Sequence, residues 1–291
     1  MKQTGPIDSR PRDTLYDHAD AVLANPAFDG ALRAFCIGLA DLHADPAFTN
    51  AGLAKTLRWA VAALLVHLDD IAPASVRAAT LSRLCATGGL GTRNTVAAAL
   101  AVFRKAGLVT EAPSAGDRRI HVFRPTAQLN AMIVNSFAVR LRSVAMVHAL
   151  PLPPDGWAAE PGVFHRFLTG LVTAYVQDGF RPYGDCPEAR SMVEHQSGYA
   201  FLLTLMAGAL RYGDRVTVHV SLADTAARFA VSREHVGKLI GIGVSEGWLT
   251  QTGAAGRLMI AAPAHDRLRR WIATEIAWTA QLAGAWVAGE K

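Results

Sequence analysis

This chain has little cysteine, little charge and no long apolar run, and each shortage removes a class of protein. Three cysteines, Cys36, Cys85 and Cys186, occur in 291 residues, with no C-x-x-C pair among them. An odd count without that spacing offers no disulfide framework, and thiols among apolar neighbours act as small hydrophobes in a reducing compartment. The ten histidines show neither H-x-x-x-H nor H-E-x-x-H spacing, so no built-in metal is expected. The longest apolar stretch, Tyr199 to Leu210, is 12 residues. A bilayer needs about 20, so this stretch reads as a buried helix. Met1 to Asp13 has no apolar core of the signal-peptide kind and reads as a polar tail. A cytoplasmic location without membrane partners is expected.

Catalytic signatures are missing too. The sequence has no G-x-S-x-G, no G-x-x-x-x-G-K-[ST] and no G-x-G-x-x-G after a strand, so neither an enzyme nor a cofactor is expected. The pair Asp69-Asp70 has no basic or metal partner at a meaningful spacing and reads as a solvated helix end.

What is present is an apolar, foldable chain with uneven charge. It is 51% hydrophobic and 18% charged, which fits a folded protein and not a disordered one. The net charge of +5 lies in the first half: residues 1–150 hold 16 Lys/Arg against 11 Asp/Glu, and residues 151–291 hold 13 of each. A basic half suits a polyanion such as DNA. Pro151-Leu152-Pro153-Pro154-Asp155-Gly156 cannot continue a helix. It divides the chain into two domains, 1–150 and 151–291, each long enough for its own core.

The two halves repeat one another at an offset of 140. Thr92 and Ser232, Arg93 and Arg233, Val96 and Val236, Gly107 and Gly247, and Thr110 and Thr250 all match at that spacing, the mark of a duplicated unit. In the first half, helices are predicted from Asn25-Pro26 to about His43 and from Asn50 through Leu68. A short strand follows at Val76 to Ala79, then a helix capped by Thr80 that stops at Gly88-Gly89. Thr92 caps the next helix, whose Val96, Ala99, Leu100 and Phe103 share one face. Gly107 ends it. Strands at 108–110 and 120–123 flank a polar tip, and a helix runs from Thr126 to about His148. In the second half, helices at 164–178 and 194–210 precede a strand at 216–220. Ser221 caps a helix to Phe229, and Ala230-Val231 turns into a helix capped by Ser232. Gly247 closes that helix, a shorter hairpin follows, and a last helix carries Leu268, Trp271 and Ile272. Trp271, Trp278 and Trp286 read as packing residues.

The stretch from Ser221 to Val236 closely resembles the helix-turn-helix of many bacterial regulators, with small Ala226 between the helices and Ala230 at the turn position where glycine is commonest. The stretch Leu81 to Phe103 matches with a turn about one residue longer, Gly88-Gly89-Leu90-Gly91. Each half is similar in length and element order to one subunit of a MarR-type regulator. The resemblance implies a mainly α fold of two tandem winged helix-turn-helix domains with small β wings and a pseudo-two-fold duplication. It also implies a sequence-specific, double-stranded-DNA-binding transcription regulator. Recognition helices would start at Thr92 and Ser232 and enter the major groove. Arg93 would pair with guanine and Asn94 with adenine, while Thr92 and Thr95 would reach phosphate or a thymine methyl. Arg233, Glu234, His235 and Lys238 would face outward from the second helix. Arg118 and Arg119 at the first wing, and Arg257 at the second, would meet phosphate or the minor groove.

Plainer roles stand beside these. Arg93 and Arg233 also suit surface ion pairs, and Arg118-Arg119 a solvated turn. The second unit carries Gly237, Gly241 and Gly243 in its recognition helix, each a cost of ~1 kcal/mol. That leaves open a module that binds protein or is covered. Regulators of the MarR type bind small aromatic or phenolic effectors, which implies such a partner. The terminal helices of the two halves would pack into an internal pseudo-dimer, or the whole chain would self-associate. A plasmid replication initiator and an architectural chromosome-associated protein are the alternatives.

Overall fold

Prolines and hydroxyl caps set many of the helix starts in the computed structural model, which describes residues 11–50, 52–53, 55–114, 117, 119–157, 160–252 and 256–284. The chain is mainly helical with two small antiparallel sheets. It opens with a helix that the sequence reading does not include, α1 (Pro11–Ala24), followed by α2 (Phe28–Ala44). Asn25 sits between them, where its side-chain oxygen accepts from the Ala27 N–H at 2.8 Å. Asn50 ends a helix instead of starting one. It closes α3 (Pro46–Asn50), whose first turn is held by Asp45 Oδ1 on the Ala47 N–H, and Gly52 turns the chain with φ +69°. The apolar helix α4 (Thr56–Ile71) starts only after that turn.

The predicted strand at Val76 to Ala79 does not form. Pro73–Ser75 make a 3-10 turn, and Val76 gives its carbonyl to the Phe123 N–H in one isolated bond of 2.9 Å. A single bond builds no ladder. Helix α5 (Ala78–Thr87) begins ahead of Thr80, which lies inside it. Next come α6 (Arg93–Lys105), the paired strands β1 (Val109–Pro113) and β2 (His121–Pro125), and α7 (Ala127–Val144). The Thr126 hydroxyl caps α7 through the Leu129 N–H.

The second half starts with α8 (Pro161–Val172), which widens into one π turn at Thr173–Gln177. Helix α9 (Pro187–Val193) is a second helix that the sequence reading does not include, and α10 (Gly198–Gly208) falls within the helix expected over 194–210. Strands β3 (Leu210–Tyr212) and β4 (Arg215–His219) follow, then α11 (Leu222–Arg228), α12 (Arg233–Ser245), β5 (Leu249–Gln251), β6 (Arg257–Ile260) and α13 (Ala262–Leu282). These strands form a four-stranded sheet in the order β3-β4-β6-β5, so this sheet is larger than its counterpart in the first half. Alternating Val216 and Val218 are buried on β4, the period of two that Val76 lacks.

Packing joins the two halves. Helix α2 lies on α10, α4 lies on α8, α7 meets α13, and α1 runs along α13. A continuous set of buried side chains extends from Leu15 to Ala283 and includes residues of both halves. Helix α10 is buried all round, as its apolar run implies, and no described helix is long and apolar enough to cross a membrane. Trp271 and Trp278 are buried in the core, while Trp286 lies outside the described residues. All three cysteines are free and buried, and burial pushes their thiols up, Cys85 to about 11 and Cys186 to about 12. Polar ties also cross between halves. Arg228 pairs with Asp41 at 2.6 Å and Arg270 with Asp20 at 2.5 Å. Asp69 and Asp70, read as solvated, in fact pair with Arg124 and His165.

Helix α12 is continuous through its three glycines, which have different surroundings. A Cβ on Gly243 would lie 2.6 Å from Leu249 Cδ1 and 2.9 Å from Trp248, whereas Gly237 and Gly241 have no described atom within 4 Å of that position. Gly237→Ala and Gly241→Ala should therefore each stabilise the chain by up to ~1 kcal/mol. Gly243→Ala should cost about 1–3 kcal/mol through overpacking. Thermal melts of the three variants check this, and a drop for Gly237→Ala or Gly241→Ala would contradict the open space around those positions.

Candidate nucleic-acid interface

Two helices present their N-terminal turns to solvent, and each turn is built by the residues around it. At α6, Thr92 adopts an extended conformation and its hydroxyl accepts from the Thr95 N–H at 3.4 Å. The Thr95 hydroxyl turns back to the Thr92 carbonyl at 2.7 Å, which occupies its proton. Val96, Ala99, Leu100 and Phe103 are buried, fixing the rotation of the helix so that Thr92, Arg93, Asn94 and Thr95 are exposed. At α12, the Ser232 hydroxyl accepts from the His235 N–H at 3.0 Å, and Val236, Leu239 and Ile240 are buried. Ala230 holds φ +51° ahead of this helix, the conformation that makes glycine common at such a turn. Gly107 and Gly247 take φ +69° and +79° just beyond the ends of α6 and α12.

The two exposed turns differ in how free their side chains are. Arg93 and Asn94 make no side-chain hydrogen bond or ion pair with any described residue. On α12, Arg233 is exposed, but Glu234 and Lys238 pair with each other at 2.8 Å, and Lys238 holds the Glu234 carboxyl below its ordinary range. His235 is half-buried, with Nε2 2.7 Å from the Gln196 carbonyl. Three of the four outward residues of the second helix's first turns thus already have partners.

The hairpins carry the remaining candidates. Arg119 is 92% exposed at the tip between β1 and β2. Its backbone N–H and its Nε both reach Asp117 Oδ1, at 2.9 and 3.3 Å. Those bonds hold the Asp117 carboxyl below its usual range. Arg118 lies outside the described residues. Midway along the hairpin, Glu111 receives both Arg104 at 2.7 Å and His121 at 2.8 Å. Arg257 is exposed on β6, across the ladder from His219. Asp117 and Gln196 are the contributions that sequence reasoning missed. An acid two residues before an arginine in a turn is the local signal for the first. Nothing local marks the second, which is 39 positions from His235.

A cavity at the junction of the halves bears on the expected effector. It measures about 60 Å³ in space open to the centre of a water molecule, room for about four waters. Trp59, Phe137 and Trp278 wall it, and Arg140, Glu275 and Tyr199 bring polar groups to it. Burial raises the Glu275 carboxyl and the Tyr199 phenol, and it lowers His43 to about 3 with help from Arg140. A ring-sized ligand enters only if these walls move.

Beside it, Arg181 ties the core to the turn before α6. Its guanidinium donates to the Gly88, Tyr175 and Phe180 carbonyls, and a Cβ on Gly88 would lie 3.0 Å from Tyr175 O. In comparisons with known proteins, no family model, no curated protein and no solved structure matches this chain.

Proposed function

We propose that the chain is a sequence-specific DNA-binding transcription regulator made of two winged helix-turn-helix units in one pseudo-dimer. The observation that carries this reading is the pair of hydroxyl-capped, solvent-facing helix starts at Arg93 and Arg233. Each follows a short helix and a turn, and each leads through a positive-φ glycine into an antiparallel hairpin. A helix so presented places its first side chains at base edges in the major groove, with the hairpin beside the backbone. The packing supports the duplication. Contacts of α2 with α10 and of α4 with α8 exchange equivalent helices between the halves, and α7 meets its counterpart α13. This is the pattern of a subunit dimer drawn with one chain. The first unit is the stronger reader because Arg93 and Asn94 pair with no described residue.

Such a molecule binds DNA as one chain on an asymmetric site, since its two reading helices differ. Footprinting on genomic fragments, with particle mass measured on the bound DNA, tests this. A single chain on a non-palindromic site is expected, whereas a two-chain complex on a palindrome would refute the pseudo-dimer. Binding no tighter to any fragment than to random duplex would refute specific recognition. Arg119→Ala should lower the salt slope by about one. Asp117→Asn should raise affinity, because the acid competes with phosphate for Arg119.

A further inference from the structure

A cleft of about 440 Å³ opens between α2, the α10–β3 junction and the first turns of α13. Three arginines, Arg33, Arg211 and Arg269, line it. Arg211 pairs with Asp266 at 2.5 Å and Arg269 with Asp29 at 2.7 Å, and both carboxylates are more than half exposed. Arg33 is exposed and makes no ion pair with a described residue. At the same cleft His265 is 95% buried by its 5% exposure, and its Nδ1 has no hydrogen-bond partner. The nearest acid oxygen, on Asp266, is 3.9 Å from that nitrogen.

We propose that this cleft binds one small phosphate-bearing ligand, with Arg33, Arg211 and Arg269 on the phosphate oxygens and His265 as a further donor. Three cations against two exposed, movable carboxylates leave a positive excess, and a guanidinium fork matches phosphate geometry. The buried imidazole supplies what an ordinary surface arginine cluster lacks, a desolvated donor with no partner of its own. Burial first, then Arg269 and Arg211, lowers its pKa, against the opposing pull of Asp266 and Asp29. A dianion beside it reverses the repulsion from the arginines, so binding takes up a proton at His265. The ligand would bridge α2 of one half and α13 of the other, beside the sheet strand β3. This site is independent of the DNA reading.

The test uses the full chain with inorganic phosphate as the probe, against chloride at equal ionic strength. Saturable one-to-one binding by calorimetry is expected, together with a phosphate-dependent rise in the His265 pKa followed by NMR. Arg33→Gln, at an exposed position without a structural partner, should weaken phosphate at least tenfold and leave the melting temperature without phosphate unchanged. Phosphate that acts no differently from chloride, or an Arg33→Gln protein that binds it equally well, overturns the proposal. Duplex DNA that displaces phosphate one for one, and loses affinity itself in Arg33→Gln, also overturns it by assigning the cleft to the DNA surface. DNA binding that is insensitive to Arg33→Gln, alongside lost phosphate binding, supports it.

Discussion

Acidification from pH 7 to pH 4 should remove several kcal/mol of stability from this protein, and most of that loss should disappear in His43→Leu. The His43 ring is half-buried between Phe48 and Tyr199, at centroid distances of 5.2 and 5.3 Å, with its Nδ1 enclosed. Its Nδ1 has no partner, and the Arg140 charge adds to the desolvation that lowers its pKa from 6.5 to about 3. The unfolded chain therefore binds a proton near pH 6.5 that the folded chain refuses until about pH 3. Stability from this residue is full above the unfolded value and is lost as pH falls through the window between the two. The slope is up to ~1.4 kcal/mol per pH unit, for a total of roughly 4–5 kcal/mol across the window. A domain has only about 5–15 kcal/mol in all. His67 and His265 are lowered too and act in the same direction. Glu275 acts oppositely: its raised carboxyl favours the fold below its unfolded value of 4.5 and weakens it as pH rises above that. Comparing His43→Leu with the parent by chemical denaturation at several pH values isolates the histidine. Parallel pH profiles for the two proteins would show that another group sets the acid limb.

The features legible in the sequence are those that depend on a few neighbouring residues. Thr92, Ser221 and Ser232 each cap a helix because a hydroxyl followed by a helical stripe needs nothing distant. Ala230 and Gly247 were readable for the same reason, as turn positions with positive φ. Distant partners left no such trace. Asp69 finds Arg124 across 55 positions and Asp70 finds His165 across 95. At sequence level both acids look solvated. Helix α1 carries Leu15, Ala19 and Val22 on one buried face, a stripe too short to stand out before α13 is known to cover it. Strand β3 has three exposed residues and no alternation at all. It exists because β4 offers an edge.

Within the proposed function, the sharpest separation lies between Arg93 and Leu100, only two turns apart on α6. Leu100 is 4% exposed and belongs to the face that packs α6 against α5. Leu100→Ala should destabilise the protein by about 2–5 kcal/mol, because the transfer energy of the side chain is lost and a cavity remains. Arg93 is exposed and pairs with no described residue, so Arg93→Ala should leave the unfolding free energy within about 0.5 kcal/mol. On DNA the order reverses. Arg93→Ala should cost roughly 1–3 kcal/mol at one position of the site and leave the others unchanged. Leu100→Ala, measured well below its lowered melting temperature, should keep the same sequence preference, because Arg93 and Asn94 still project from a capped turn. Melting curves and a binding-site mutation scan on the same three proteins give both readouts. If Arg93→Ala unfolds the chain, or binds every site variant as the parent does, Arg93 is a structural residue and α6 is not the reading helix. If Leu100→Ala alone changes the preferred sequence, the apolar face of α6, and not the capped turn, sets how Arg93 and Asn94 are presented.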